Sequence, residues 1–188
     1  MYLISIILRH PYHFGNEWYD YFSDEFIVLD ENGNFFEPKS KRSNLELWTN
    51  KITNLARKAD KLKLNILLFN PTPEFPEFKR KECEGYNDQW FNKFSRKSCD
   101  YKISKKTFLN EKNGIYKDIN KNLSLLEKQN RNIFVFNSFD AMCEETYCSN
   151  KFKGKLLFND DDHISEFGYM SRIYQPLIKF FRIYFSNK

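Results

Sequence analysis

Asp160-Asp161-Asp162-His163, followed by Ser165 and Gly168, is the stretch of this chain whose residue types and spacing could carry chemistry. In Asp-x-x-His the two side chains can meet across a tight turn. Asp160 would then accept from one ring nitrogen of His163 and set its tautomer, while the other nitrogen faces a nucleophile. That is the base half of a hydrolase triad. Asp162 is the alternative orienting acid. Two other readings fit the same residues. An acidic turn can cap a following helix, with Ser165 or an Asp taking first-turn amides. A divalent cation could use the three carboxylates, but no second acidic cluster is present to complete an oxygen cage. None of Ser5, Ser138 and Ser165 offers a convincing nucleophile: Ser5 falls inside a strand, Ser138 has no elbow around it, and Ser165 neighbours the His on its own backbone. His10 and His13 read as loop residues.

The elements that must position these groups are legible in outline. Met1–Arg9 is an almost uninterrupted β-branched apolar run, the pattern of a strand buried on both faces. Pro11–Asp24 reads as an aromatic-rich loop, and Phe26–Phe36, with Asn-Gly-Asn at its turn, as a β-hairpin. Ser43 with Glu46 has the form of a capping box. Leu45, Trp48, Ile52, Leu55, Ala59 and Leu62 follow at helical spacing, with Trp48 in the core. Asn65–Phe69 is a second buried strand, and Pro71, Pro73 and Pro76 then impose an extended loop. Lys105–Asn130 is helical, most clearly over Ile115, Ile119, Leu123 and Leu126. Asn132–Phe136 is a third buried strand and Lys155–Phe158 a short fourth. Ser165–Phe185 closes as a helix with Tyr169, Ile173, Leu177, Phe180 and Phe181 inward, and Pro176 is placed to kink or split it.

Strands alternating with helices predict an α/β sandwich around a parallel sheet, with the site in loops at the strands' carboxyl ends. Those ends are Arg9-His10, Asn70–Pro73, Asn137-Ser138 and Asn159-Asp160. No internal repeat or flexible linker divides the 188 residues, so one domain is expected. The balance of 30 Lys+Arg against 25 Asp+Glu is too mild and scattered for a nucleic-acid binder. No apolar run approaches the ~18 residues of a membrane-spanning helix. The apolar N-terminus has neither a basic lead nor a small-residue cleavage site, so it does not read as a secretory signal.

Four cysteines, Cys83, Cys99, Cys143 and Cys148, permit three pairings. Their spacing lacks the close pairs or nearby His that zinc prefers. Disulfides are the expectation, with buried thiols as the alternative. Local pairs, 83 with 99 and 143 with 148, would each staple a loop and imply an oxidising compartment.

Taken together, Asp160-x-x-His163-Ile-Ser-x-x-Gly168, the Cys143-x4-Cys148 pair and the Pro-x-Pro-x-x-Pro loop before Cys83 resemble one known family. It is the SGNH-type domain fused behind the membrane acyltransferase-3 domain of O-acetylating enzymes. The opening strand ending in Arg9 resembles that family's apolar strand ending in Arg-Trp, with His10 where Trp is usual. The resemblance runs from the first strand to the last helix and implies a single SGNH-like domain over 1–188, with a flavodoxin-like three-layer α/β/α sandwich. It implies His163 as general base and acid, Asp160 as its orienting partner, and Arg9 near the substrate. It also implies an extracytoplasmic position on the periplasmic face of the inner membrane. The partners would be an acyl donor handed on by the membrane domain and a cell-surface glycan acceptor such as lipopolysaccharide. No cofactor and no metal are called for.

The family's nucleophile lies in a Gly-Asp-Ser block on a strand ahead of this one, and no Gly-Asp-Ser occurs in this chain. The resemblance therefore implies the C-terminal part of the domain, lacking the first strand and inactive alone, since a His–Asp pair with nothing to activate cannot carry covalent acyl transfer. A competing expectation is a non-catalytic carbohydrate-binding or interaction remnant of the fold, with loop aromatics (Tyr12, Phe14, Trp18, Trp90, Phe91) stacking on sugars. A third is a metal-dependent phosphodiesterase or nuclease, which chelators would inactivate.

Overall fold

The computed structural model describes residues 2–7, 41–75, 78, 100–160 and 163–185. The loop and hairpin expected between Pro11 and Phe36, and Arg9, His10, His13, Trp18, Cys83, Trp90, Phe91, Cys99, Asp161 and Asp162, lie outside the described residues. The chain forms two compact units, one of residues 1–71 with 109–136 and one of residues 72–108 with 137–188.

The first unit holds a parallel sheet of β1 (Tyr2–Ile7), β2 (Leu64–Phe69) and β4 (Ile133–Phe136), in the order β1-β2-β4. Tyr2 is in register with Leu64, and Ile66 with Ile133. Along β2, Ile66 and Leu68 face one side and Leu67 the other, yet all three are buried, so both faces of the sheet are covered. That is why this strand reads as a continuous apolar run.

Helix α1 (Lys41–Lys61) packs on β2 through a stripe of Leu45, Ile52, Ala56 and Ala59. It begins two residues ahead of Ser43, which therefore sits in the first turn and not at a cap. Trp48 is half-buried and not core, and Leu55 is likewise half-buried. Both lie on the margin of the stripe, whose centre is completed by Ala56. Leu62 is 69% exposed because the helix ends one residue before it. The amides of Leu62 and Lys63 turn back to the carbonyls of Ala59 and Asp60, and Lys63 closes the helix at φ 56°, a left-handed position where glycine is usual.

Two contacts tie the far ends of this unit together. The buried Asn132 amide nitrogen donates to the carbonyls of Ala56 (2.9 Å) and Leu64 (3.2 Å). Arg131 forms a two-pronged contact with Asp60, at 3.1 and 2.9 Å, which raises the already high pKa of the guanidinium through that hydrogen bond and charge. Helix α2 (Lys105–Gln129) brings Ile119, Leu123 and Leu126 into the core at the expected spacing, Tyr116 is buried as well, and the side chain of Ile115 lies outside the described residues. Its Glu127 accepts from the Val135 amide at 2.9 Å, satisfying a β4 donor that β2 does not take.

The second unit pairs β3 (Lys102–Ser104) with β5 (Tyr147–Ser149) antiparallel, Ile103 opposite Cys148. Just ahead of β5 in the chain comes the short helix α3 (Ser138–Met142), whose N-cap Asn137 accepts from the Asp140 amide at 3.0 Å. Phe75, Phe158, Met142, Leu157 and Cys148 are buried in this unit, with the Phe75 and Phe158 rings edge to face at 5.2 Å.

The fourth strand expected over Lys155–Phe158 is instead two separate contacts. Lys155–Leu156 (β7) forms a hairpin with Lys151–Phe152 (β6), and Phe158 bridges to Ile164. Lys153 and Gly154 both take positive φ (49° and 76°), as a two-residue type I′ turn requires, and this turn pairs the segment locally.

The closing helix starts at α4 (Glu166–Gly168), widens into a π-helical stretch over Tyr169–Ile173, and continues as α5 (Tyr174–Phe185). Of the five residues expected inward, Ile173 is buried, Leu177, Phe180 and Phe181 are half-buried, and Tyr169 is 41% exposed. The π turn adds a residue and shifts the helical phase of Tyr169 relative to α5. Pro176 neither splits nor ends the helix. Arg172, the residue four back whose carbonyl a proline ring crowds in a regular α-helix, lies in the wider π turn, which relieves that crowding.

Candidate active site

His163 and Asp160 lie in the second unit, on the loop between the Phe158 and Ile164 bridge positions. The loop is tight for local reasons. Asn159 N–H donates to the His163 carbonyl at 2.7 Å, and Ser165 N–H to the Leu157 carbonyl at 2.9 Å. The loop is anchored from within by Leu157 and Phe158, both fully buried.

Ser165 then caps the closing helix. Its Oγ accepts from the Gly168 amide at 3.0 Å and donates to the Leu156 carbonyl at 3.0 Å. That hydroxyl is committed to structure on both sides, in keeping with its unsuitability as a nucleophile. Gly168 fits because a Cβ there would collide with the Leu157 carbonyl and approach Ile164 Cγ2 to 2.9 Å.

Within this frame Asp160 Oδ1 contacts two nitrogens of His163. The backbone N–H donates to it at 2.7 Å, and ring Nδ1 lies 2.8 Å away. The first contact holds the turn. The second favours the tautomer with hydrogen on Nδ1, which puts the acceptor lone pair on Nε2, at the opposite edge of the ring. The side chains of His163 and Asp160 are 46% and 49% exposed, so the pair is open to a reactant from solvent. Chemically, the arrangement can take a proton at Nε2 and stabilise the resulting imidazolium through the carboxylate.

The acidic-turn reading of this segment finds partial expression. Asp160 closes a turn, but onto His163, and Ser165 caps the helix. Among the described residues no group of three or more His, Cys, Asp or Glu side chains converges as a metal site.

Cys143 and Cys148 are joined as a disulfide across the loop between α3 and β5. Of the other strand ends, Asn70 belongs to the first unit, and Asn137 and Asn159 to the second. Asn70 is among the strand ends expected to form the site, but the sequence gives it no role of its own. It is a buried amide at the end of β2 whose side-chain nitrogen donates to Asn120 Oδ1 at 3.1 Å. A polar residue ending an apolar strand just ahead of a proline was the available signal.

Neither a curated protein nor a solved structure matches the chain. A family model, described as SGNH domain (fused to AT3 domains), matches residues 6–179, and so takes in segments of both units. Its fold is flavodoxin-like α/β, in agreement with the parallel sheet and the helices on this chain, and it marks a hydrolase- or acyltransferase-like module with a membrane acyltransferase as its natural partner. Among the described residues no helix is long and apolar enough to cross a membrane. The chain belongs to the family of SGNH domains fused to AT3 domains.

Proposed function

We propose that residues 1–188 constitute one SGNH-like module that serves O-acyl, specifically acetyl, transfer or ester hydrolysis on cell-surface glycans, with His163 as general base and acid and Asp160 as its orienting partner. The single observation supporting these roles is the 2.8 Å contact between Asp160 Oδ1 and His163 Nδ1. The nucleophile is a serine from a Gly-Asp-Ser block, which the 188 residues do not contain. The pair acts only where that block is supplied.

The acyl group comes from the membrane acyltransferase-3 domain, so the module works at the extracytoplasmic face, where the Cys143–Cys148 disulfide is at home. In the forward step the serine Oγ attacks the acyl carbonyl and loses its proton to Nε2, which passes it to the departing group of the acyl donor. The acceptor hydroxyl then attacks the acyl-serine, giving its proton to the same nitrogen, which returns it to the serine Oγ as that is released. Arg9 serves substrate binding in this reading.

The test is the O-acetyl content of surface glycan in cells carrying the gene, against cells with His163→Ala. Loss of acetylation supports the reading. Unchanged acetylation with glycan affinity retained supports a non-catalytic carbohydrate-binding role, and chelator sensitivity would favour a metal-dependent enzyme. The coding sequence ahead of Met1 is a second check, since the reading requires a Gly-Asp-Ser block to be supplied.

A further inference from the structure

A cavity of about 300 Å³ in the second unit, lined by neither His163 nor Asp160, is walled by four cations, Lys102, Lys151, Lys153 and Arg172, and two carboxylates, Asp100 and Glu144. Aromatic rings hold three of the cations. Lys102 on β3 reaches diagonally to Tyr147 on β5, its Nζ 5.5 Å from the ring centroid. Lys153 lies 5.3 Å from the Phe152 ring, and the Arg172 guanidinium stacks on the same ring at 3.9 Å.

A ring face orients a cation without neutralising it. Of these three, Arg172 gains a carboxylate, Glu144, while its Nε is buried without a partner among the described residues. No carboxylate among the described residues pairs with Lys102 or Lys153, and both are exposed. The cavity is therefore electropositive and preorganised. The disulfide helps to shape it, since Glu144 and Tyr147 are the residues just inside Cys143 and Cys148, joined by a Glu144 N–H to Tyr147 carbonyl bond of 2.8 Å.

We propose that this cavity binds an acidic sugar, a single ring bearing a carboxylate or a phosphate. Lys102 and Lys153 take the anionic group, and Asp100, Glu144 and Ser149 take the hydroxyls. The mixed lining favours this class over a nucleic-acid backbone, which offers no row of hydroxyl donors to two carboxylates and would be repelled by them. The volume, at the lower end for small-ligand pockets, suits one ring and not a polymer track. The assignment rests on the glycan reading for its sugar class, whereas binding is measured without ester turnover, so either can fail alone.

The test is an amide-shift titration of the disulfide-intact chain with a glucuronate-terminated disaccharide, glucose 6-phosphate, the glucose-terminated disaccharide and a short oligodeoxynucleotide. Saturable shifts at Lys102, Tyr147 and Gly154 with one of the two acidic sugars are expected, and which one binds identifies the anionic group. That affinity should fall about tenfold or more in Lys102→Gln/Lys153→Gln and with added salt, and should be unchanged in His163→Ala. Equal binding of the neutral disaccharide, tighter binding of the oligonucleotide, shifts centred on His163, or no shift with either acidic sugar would each overturn the proposal. Both lysines are exposed, so the double variant is expected to fold, and its amide spectrum checks that directly.

Discussion

One oxygen of Asp160 serves both nitrogens of His163 that face it, the backbone amide at 2.7 Å and ring Nδ1 at 2.8 Å. The turn that brings the two residues together and the contact that orients the imidazole thus share a single acceptor. Changes at Asp160 can therefore separate geometry from charge.

Asp160→Asn keeps an oxygen able to accept from the amide, but removes the charge that would stabilise an imidazolium. Where the nucleophile is supplied, acetyl transfer should fall by about 10⁴-fold, the scale for a triad acid replaced by its amide, with the melting temperature nearly unchanged. Asp160→Ala should lose transfer and also loosen residues 159–163. Acetyl content and hydrogen exchange measured on the same variants separate the two effects.

Replacing Cys143 and Cys148 by serine removes a short cross-link in the second unit. Loop-closure entropy for so small a ring predicts a loss of about 2 kcal/mol, read as a lower urea midpoint at unchanged slope. Dithiothreitol should lower the midpoint of the parent chain by at least as much, since it also opens any bridge between Cys83 and Cys99.

Gly168→Ala should destabilise the chain even though alanine is the better helix former by about 1 kcal/mol. The added methyl meets the Leu157 carbonyl, part of the backbone that anchors the His163 loop. A cost of about 1–3 kcal/mol for overpacking is expected, with amide shifts extending to Asn159 and His163. A rise in melting temperature would contradict the close approach.

Asn132→Ala removes a side chain that bonds to both the Ala56 carbonyl in α1 and the Leu64 carbonyl at the start of β2, and so cuts the tie between the helix and the strand. About 1–3 kcal/mol of stability should be lost in denaturant titration. By contrast, Lys63→Gly relieves a left-handed lysine at the end of α1 and should add about 1 kcal/mol.

The features legible in the residues alone are local or periodic. The apolar runs at Leu64–Phe69 and Ile133–Phe136 state buried strands, because a strand flanked by two layers has no polar side to show, and the run at Tyr2–Ile7 states a third strand. The repeat at Ile119, Leu123 and Leu126 states a helix. Asp160 and His163 are three residues apart, within reach of each other in any tight turn, so their contact needed little from the rest of the fold.

Features that depend on helical phase and on distant partners emerge only in the folded chain. Lys155–Leu156 has a strand's composition, yet the positive φ angles at Lys153 and Gly154 give it to a hairpin instead of the parallel sheet. One π turn after Gly168 moves Tyr169 out of line with Ile173, a change that no count of hydrophobic spacing registers in advance. The cavity shows the same limit most fully. Lys102 and Arg172 are far along the chain from Tyr147 and Lys153, and the four carry no common motif; the β3–β5 pairing, the disulfide and the closing helix bring them to one place.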